Sequence, residues 1–98
     1  MNPSLEHGLS IVVPVYRAEK SLRPPVSRIG QALADLPFPF ELLLVNDSSP
    51  DGSADVMESL SAEHPWIRCI HLMRNFGQHN ALLAGIRQAR FDRLVTMD

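Results

Sequence analysis

The sequence predicts an α/β fold, a parallel sheet with helices on both faces, and two observations lead there. Short apolar runs of strand length alternate with segments of helical periodicity, strand then helix three times and a final strand. Three of these runs also end in polar or aromatic groups: Ile11 to Tyr16, Leu42 to Asp47, and Leu94 to Asp98. Parallel strands joined by right-handed crossovers would lay those ends along one rim. With a strand order of 3-2-1-4 the chain reverses direction between strands one and four, and ligands bind at such a switch point.

Each element has a local cause. Ser10–Tyr16 is short, continuously apolar and rich in Val and Ile, as a strand covered on both faces should be. Pro24 and Pro25 suit the first turn of a helix, where a missing N–H costs nothing. Val26, Ile29, Leu33 and Leu36 follow at helical spacing, and Pro37 and Pro39 end the run. Phe40–Asn46 reads as the second strand. The segment Asp47 to Ser53 is dense in turn formers and leads into a helix carrying Val56, Met57 and Leu60, which stops before Pro65. Trp66–Met73 is expected as strand three, and Arg74–Gly77 as a loop. Gln78–Arg90 is expected as a helix with Leu82, Leu83, Ile86 and Ala89 facing inward, and Arg93–Met97 as strand four. Residues 1–9 are read as an N-terminal tail.

Composition narrows the function. Hydrophobic residues make up 45% of the 98, enough for a core. A formal charge of -2, with Lys and Arg scattered, offers no surface for nucleic acid. The single Cys69, in an apolar run, is expected to be a buried small hydrophobe. The start of the chain lacks a basic segment followed by an apolar one, and no apolar stretch approaches the ~20 residues that cross a bilayer. A cytoplasmic location is the expectation.

Four places can carry chemistry. Pro14-Val15-Tyr16 ends strand one, and Tyr16 is either a wall for a nucleobase or a cap on the core. Asp47 leaves an aliphatic run and can accept hydrogen bonds from a base or a ribose, or else organise the turn. Ser48, Ser49 and Asp51 can organise that turn equally well, which would leave Asp47 free for a ligand. On that basis Asp47→Ala is expected to weaken ligand binding and spare the fold. Arg74 opens a loop in which Gly77 permits a tight turn before a helix N-terminus that favours anions. Gln78, His79 and Asn80 are read as capping or surface residues. Asp98 is either a strand-end residue or the start of an acidic pair holding a divalent cation. No Gly-x-Gly-x-x-Gly follows strand one, which disfavours a dinucleotide-binding dehydrogenase, and there is no Walker-type lysine loop. The four histidines lack metal-ligand spacing, and His71 reads as an ordinary strand residue.

Four segments in order, Ser10–Tyr16, Leu43–Ser53, Arg74–Gly85 and Leu94–Asp98, resemble the family-2 glycosyltransferases of GT-A fold. Arg74–Gly85 is most similar to the branch that loads sugars onto polyisoprenyl phosphates. The resemblance implies a Rossmann-like sheet of GT-A type, here incomplete, of which residues 10–98 would be the N-terminal, nucleotide-binding half. It implies a UDP- or GDP-sugar donor contacted by Pro14, Tyr16, Glu19, Asp47, Arg74 and Asp98. The polyisoprenyl branch places its glutamate where this chain has Ala18; Glu19 matches the spacing of other members. Asp98 matches the first aspartate of the Asp-x-Asp motif and would help organise Mg2+ or Mn2+. The resemblance implies no catalytic residue within the chain, a polyisoprenyl phosphate acceptor, and membrane association through segments absent here, at the cytoplasmic face. Two alternatives stay open: a non-catalytic nucleotide-binding module, and a family-2 transferase acting on a saccharide. As a structural fragment, the chain would expose an edge strand and self-associate.

Overall fold

In the computed structural model, which describes residues 5–97, seven elements alternate as expected. They are β1 (Glu6–Val15), α1 (Arg23–Leu33), β2 (Phe40–Asn46), α2 (Ser53–Glu63), β3 (Ile67–His71), α3 (Gln78–Gln88) and β4 (Phe91–Thr96). All pairings are parallel and the order is β3-β2-β1-β4. β2 is central and apolar on both faces: Leu42, Leu43, Leu44 and Val45 are all fully buried. Each leucine so placed contributes about 1.5–3 kcal/mol relative to an exposed one.

Strand alternation divides the core in two. Ile11, Val15, Leu42 and Leu44 face α1 and α2, meeting Leu22, Val26, Met57 and Leu60. Val12, Leu43 and Val45 face the other way and pack on Ala81 of α3. The first interface is built from large side chains and the second from small ones. A Cβ at Gly85 would collide with Val12 Cγ1 and come within 3.0 Å of Val45 Cγ2. The expected inward face of α3 holds in part, since Leu82 and Ala89 pack, partly buried, on this side of the core, but the close approach centres that face on other residues. Ala81 and Gly85 are its buried residues, Leu82 and Leu83 are half-buried, and Ile86 is exposed. The periodic signal marked apolar side chains, whereas the sheet selected small ones.

Boundaries moved elsewhere too. β1 begins at Glu6, inside the segment read as a tail, because Glu6 N–H donates to Arg90 O and Leu9 N–H to Pro39 O. α1 ends at Leu33, short of Leu36, and β3 is trimmed to five residues. Pro24 and Pro25 occupy the first turn of α1 as expected. Cys69 is half-buried, its thiol 3.3 Å from Met57 O, and burial pushes that thiol up to about 11. No helix among the described residues is long and apolar enough to cross a membrane.

Candidate nucleotide-binding site

At the C-terminal rim of the sheet, the tips of β1 and β2 and the β3–α3 loop enclose a cleft of about 290 Å³. Pro14, Val15, Tyr16, Asp47, Asn75, Gly77 and Gln78 line it. Parallel pairing of Val15 with Asn46 puts Tyr16 and Asp47 at matching heights, and Asp47 N–H donates to Val15 O at 2.9 Å. Tyr16 presents an exposed ring, 44% accessible, as one wall. The opposite wall carries two side-chain amides, Asn75 and Gln78.

Asp47 behaves differently from expectation. It is only 3% exposed, and both carboxylate oxygens accept backbone amides: Phe76 N–H to Oδ1 at 2.8 Å and Gly77 N–H to Oδ2 at 3.0 Å. Gly77 is the N-cap of α3 and takes φ 92°, a left-handed value that only glycine adopts readily. The anion at the start of this helix is therefore the chain's own carboxylate, where the helix dipole also favours it. Asp47→Ala would leave the Phe76 amide unpaired and the Gly77 amide held by Asn75 Oδ1 alone, so the expectation that the fold would be spared is corrected. Asn75 Oδ1 shares the Gly77 N–H at 3.0 Å, which fixes that side chain beside the cleft.

The remaining expected residues are placed unevenly. Glu19 lies across the β2–α2 turn, its Oε1 accepting Gly52 N–H at 3.0 Å, and does not line the cleft. A Cβ at Gly52 would sit 2.8 Å from Glu19 Oε2, so glycine makes that approach possible. Arg74 is exposed and stacks on Phe76, 4.8 Å from the ring centroid. Asp98 lies outside the described residues; β4 leads up beside β1, with Met97 N–H donating to Val12 O at 2.9 Å. The structure thus brings Pro14, Tyr16 and Asp47 together and sets Glu19 and Arg74 outside the lining. Asn75 and Gln78 were not singled out as ligand contacts. Their signal was present in the polar amides flanking Gly77 between a strand end and a helix start.

The described part of the cleft does not fit a divalent cation by itself. Asp47 is its one carboxylate among the described residues, and both oxygens are taken by amides. Another group, Glu58, Cys69 and His71, brings metal-ligand atom types within 4.8 Å of one another on the α2 side of β3. Its hydrogen bonds are already made. Ser49 N–H occupies Asn46 Oδ1, so Asn46 turns its NH2 to His71 Nδ1 at 3.2 Å. That leaves the proton on Nε2, donated to Glu58 at 2.6 Å. His71 is therefore a bridging residue, tying Asn46 of β2 to Glu58 of α2, beyond the plain strand position expected of it.

Residues 10–98 match the model of glycosyl transferase family 2. Among curated relatives, an undecaprenyl-phosphate 4-deoxy-4-formamido-L-arabinose transferase of Pseudomonas fluorescens (strain SBW25) is 39% identical over 99 residues, covering 100% of this chain and 29% of the relative. The enzyme of that name from Shewanella sediminis (strain HAW-EB3) is 42% identical over 91 residues, covering 92% and 28%. The chain thus spans less than a third of the length of the curated relatives it matches. Among solved structures, S. aureus TarS 1–349 in complex with UDP-GlcNAc superposes with a TM-score of 0.71 at 24% identity, over 92% of this chain and 26% of that one. The mannosyltransferase PcManGT from Pyrobaculum calidifontis in complex with GDP-Man and Mn2+ gives 0.65 at 19% identity, over 90% and 26%. These likenesses show the shared fold, a Rossmann-like sheet of GT-A type.

Proposed function

The chain belongs to glycosyl transferase family 2, and on that premise we propose that the protein moves a sugar from a nucleoside diphosphate donor to a polyisoprenyl phosphate. Residues 10–98 would supply its nucleotide-binding half. One observation carries this reading: Tyr16 and Asp47, from adjacent strand tips, line a single cleft with Asn75 and Gln78. Its volume lies near the lower end of small-molecule sites, about 300 Å³, and suits a nucleoside better than a whole donor.

In this proposal the base lies against Tyr16, with the Pro14 backbone fixing the tip beneath it. Asn75 and Gln78 each offer a donor and an acceptor to the base edge or the ribose. Asp47 acts by holding the Phe76–Gly77 backbone that positions those amides. Arg74 is free to swing from Phe76 toward the diphosphate, and Glu19 acts through the turn it ties at Gly52. Asp98 remains the expected ligand for Mg2+ or Mn2+, a cation that would neutralise the leaving diphosphate. An acceptor phosphate is already ionised at neutral pH, so its attack needs little help from a base.

The printed names of the curated relatives support a polyisoprenyl phosphate acceptor, and the UDP-GlcNAc and GDP-Man complexes support a UDP or GDP donor. For residues 10–98 taken alone, self-association through the exposed side of β4 is part of the same proposal. β4 lies at the edge of the described sheet, and Leu94 and Val95, with Met97 just after the strand, are each more than 40% exposed. The test is calorimetric titration of the intact protein with UDP and with GDP, each with and without Mn2+. Saturable binding of one of them that Tyr16→Ala weakens is the expected result. Absence of binding to both rules the reading out.

A further inference from the structure

Immediately after Tyr16, Arg17 adopts φ 51°, a left-handed conformation unusual for a residue with a side chain. Something must hold it there, and the neighbouring turn does. Arg17 N–H donates to Ser49 Oγ and Ala18 N–H to Ser53 Oγ, each at 2.8 Å. Both hydroxyls in turn donate to one atom, Asp51 Oδ1, at 2.6 and 2.5 Å. Ser53 N–H reaches that same oxygen at 2.9 Å. A carboxylate only accepts. It therefore commits both hydroxyl protons to itself and turns both hydroxyl lone pairs toward the Arg17 and Ala18 amides.

We propose that Asp51 is a positioning residue of the nucleotide site: acting through Ser49 and Ser53, it locks the backbone after Tyr16 and so sets the ring that forms one wall of the cleft. Asp51 does not line the cleft itself, and its effect on a ligand passes through Tyr16. The inference rests on the nucleotide reading above and deepens it, because it makes affinity depend on a residue with no ligand contact. Ser49 is itself tied to the tip of β2 through its own N–H, which donates to Asn46 Oδ1 at 2.9 Å. The strand tip of β2, the turn that follows it and the tip of β1 are therefore one hydrogen-bonded unit.

The test is a double-mutant cycle on the intact protein, read by calorimetry with whichever of UDP and GDP the wild type binds, alongside thermal melts. Asp51→Ala is expected to weaken binding about 10-fold, and Asp51→Asn, which retains an acceptor oxygen, to restore most of it. In a Tyr16→Ala background, Asp51→Ala should change affinity by less than about two-fold, since its route to the ligand is gone. A general loss of structure would not be rescued by Asn or silenced by Tyr16→Ala. Unchanged affinity in Asp51→Ala, or full additivity with Tyr16→Ala, overturns the proposal while leaving the nucleotide reading intact. If the wild type binds neither nucleotide, both fall. If Asp51→Ala does not fold, Ser49→Ala keeps the carboxylate and removes the hydroxyl that links it to the Arg17 amide; unchanged affinity there overturns the proposal equally.

Discussion

Asp47 and Asp51 stand in one short turn and hold opposite walls of the cleft, by different means. Asp47 is buried and grips the β3–α3 loop directly through two backbone amides. Asp51 sits in the turn itself and grips the β1–α1 loop chiefly through two serine hydroxyls, with only a long direct bond, Glu19 N–H to Oδ2 at 3.4 Å, beside them. A direct, buried bond cannot be replaced by water, whereas a relayed one near the surface can be replaced in part. The difference separates stability from affinity. Asp47 should matter to both, and Asp51 chiefly to the second.

The largest expected effect follows from the buried member. Asp47→Ala leaves the Phe76 amide without a partner and the Gly77 amide with Asn75 Oδ1 alone, and should cost about 1–3 kcal/mol, read from urea unfolding of the intact protein. A loss under about 0.5 kcal/mol would put Asp47 on the same footing as a surface turn residue and erase the contrast. Next comes α3, whose N-terminus carries the wall that Asp47 holds. Gly85→Ala drives a methyl group into Val12 and should cost about 1–3 kcal/mol. Because α3 would lift off the sheet, nucleotide affinity should fall as well. Retention of both would mean that the helix shifts without disturbing its cap.

Acid offers a further probe of Asp51. The hydroxyls of Ser49 and Ser53 hold the Asp51 carboxyl well below the ordinary carboxylate range. Its folded value is depressed, so its contribution is fully present above the unfolded value of about 4 and is lost as pH falls toward the folded one. Melting temperature should therefore drop below about pH 4, and less steeply in Asp51→Asn. The Asp92 carboxyl, lowered by the Gly8 amide, adds to the same acid limb and remains in that variant. An Asp51→Asn profile parallel to the wild type at every pH would remove Asp51 as an acid-sensitive brace. The smallest effect is a control away from both loops. With its thiol pushed up to about 11, Cys69 should react slowly with iodoacetamide at pH 8 until the protein is unfolded. Rapid labelling of the native protein would show that β3 opens readily.

Element order, strand parallelism and the 3-2-1-4 sheet could be read from residue patterns because long apolar runs and their spacing carry them. The N-terminal extension of β1 could not. Glu6, His7 and Gly8 break the apolar run, and their strand conformation comes from pairing with Phe91 and beyond, 85 positions away in the case of His7 and Asp92. The inward face of α3 is legible only at Leu82 and Ala89, since periodicity registers apolarity and is blind to the room that Val12 leaves for Gly85. In the site, Tyr16 and Asp47 were legible as groups stranded at the ends of apolar runs. The partners that define Asp47's role, 29 and 30 residues away, were not. Asp51 reads in sequence as a turn former because its serines lie next to it, while the amides they hold belong to another loop.

A crystal structure of the intact protein with the bound nucleotide, UDP or GDP, tests the central claim most directly. The account requires the base to lie on the Tyr16 ring and to hydrogen-bond across the cleft to the Asn75–Gln78 loop. A base seated elsewhere, with the Tyr16 ring untouched, would contradict it.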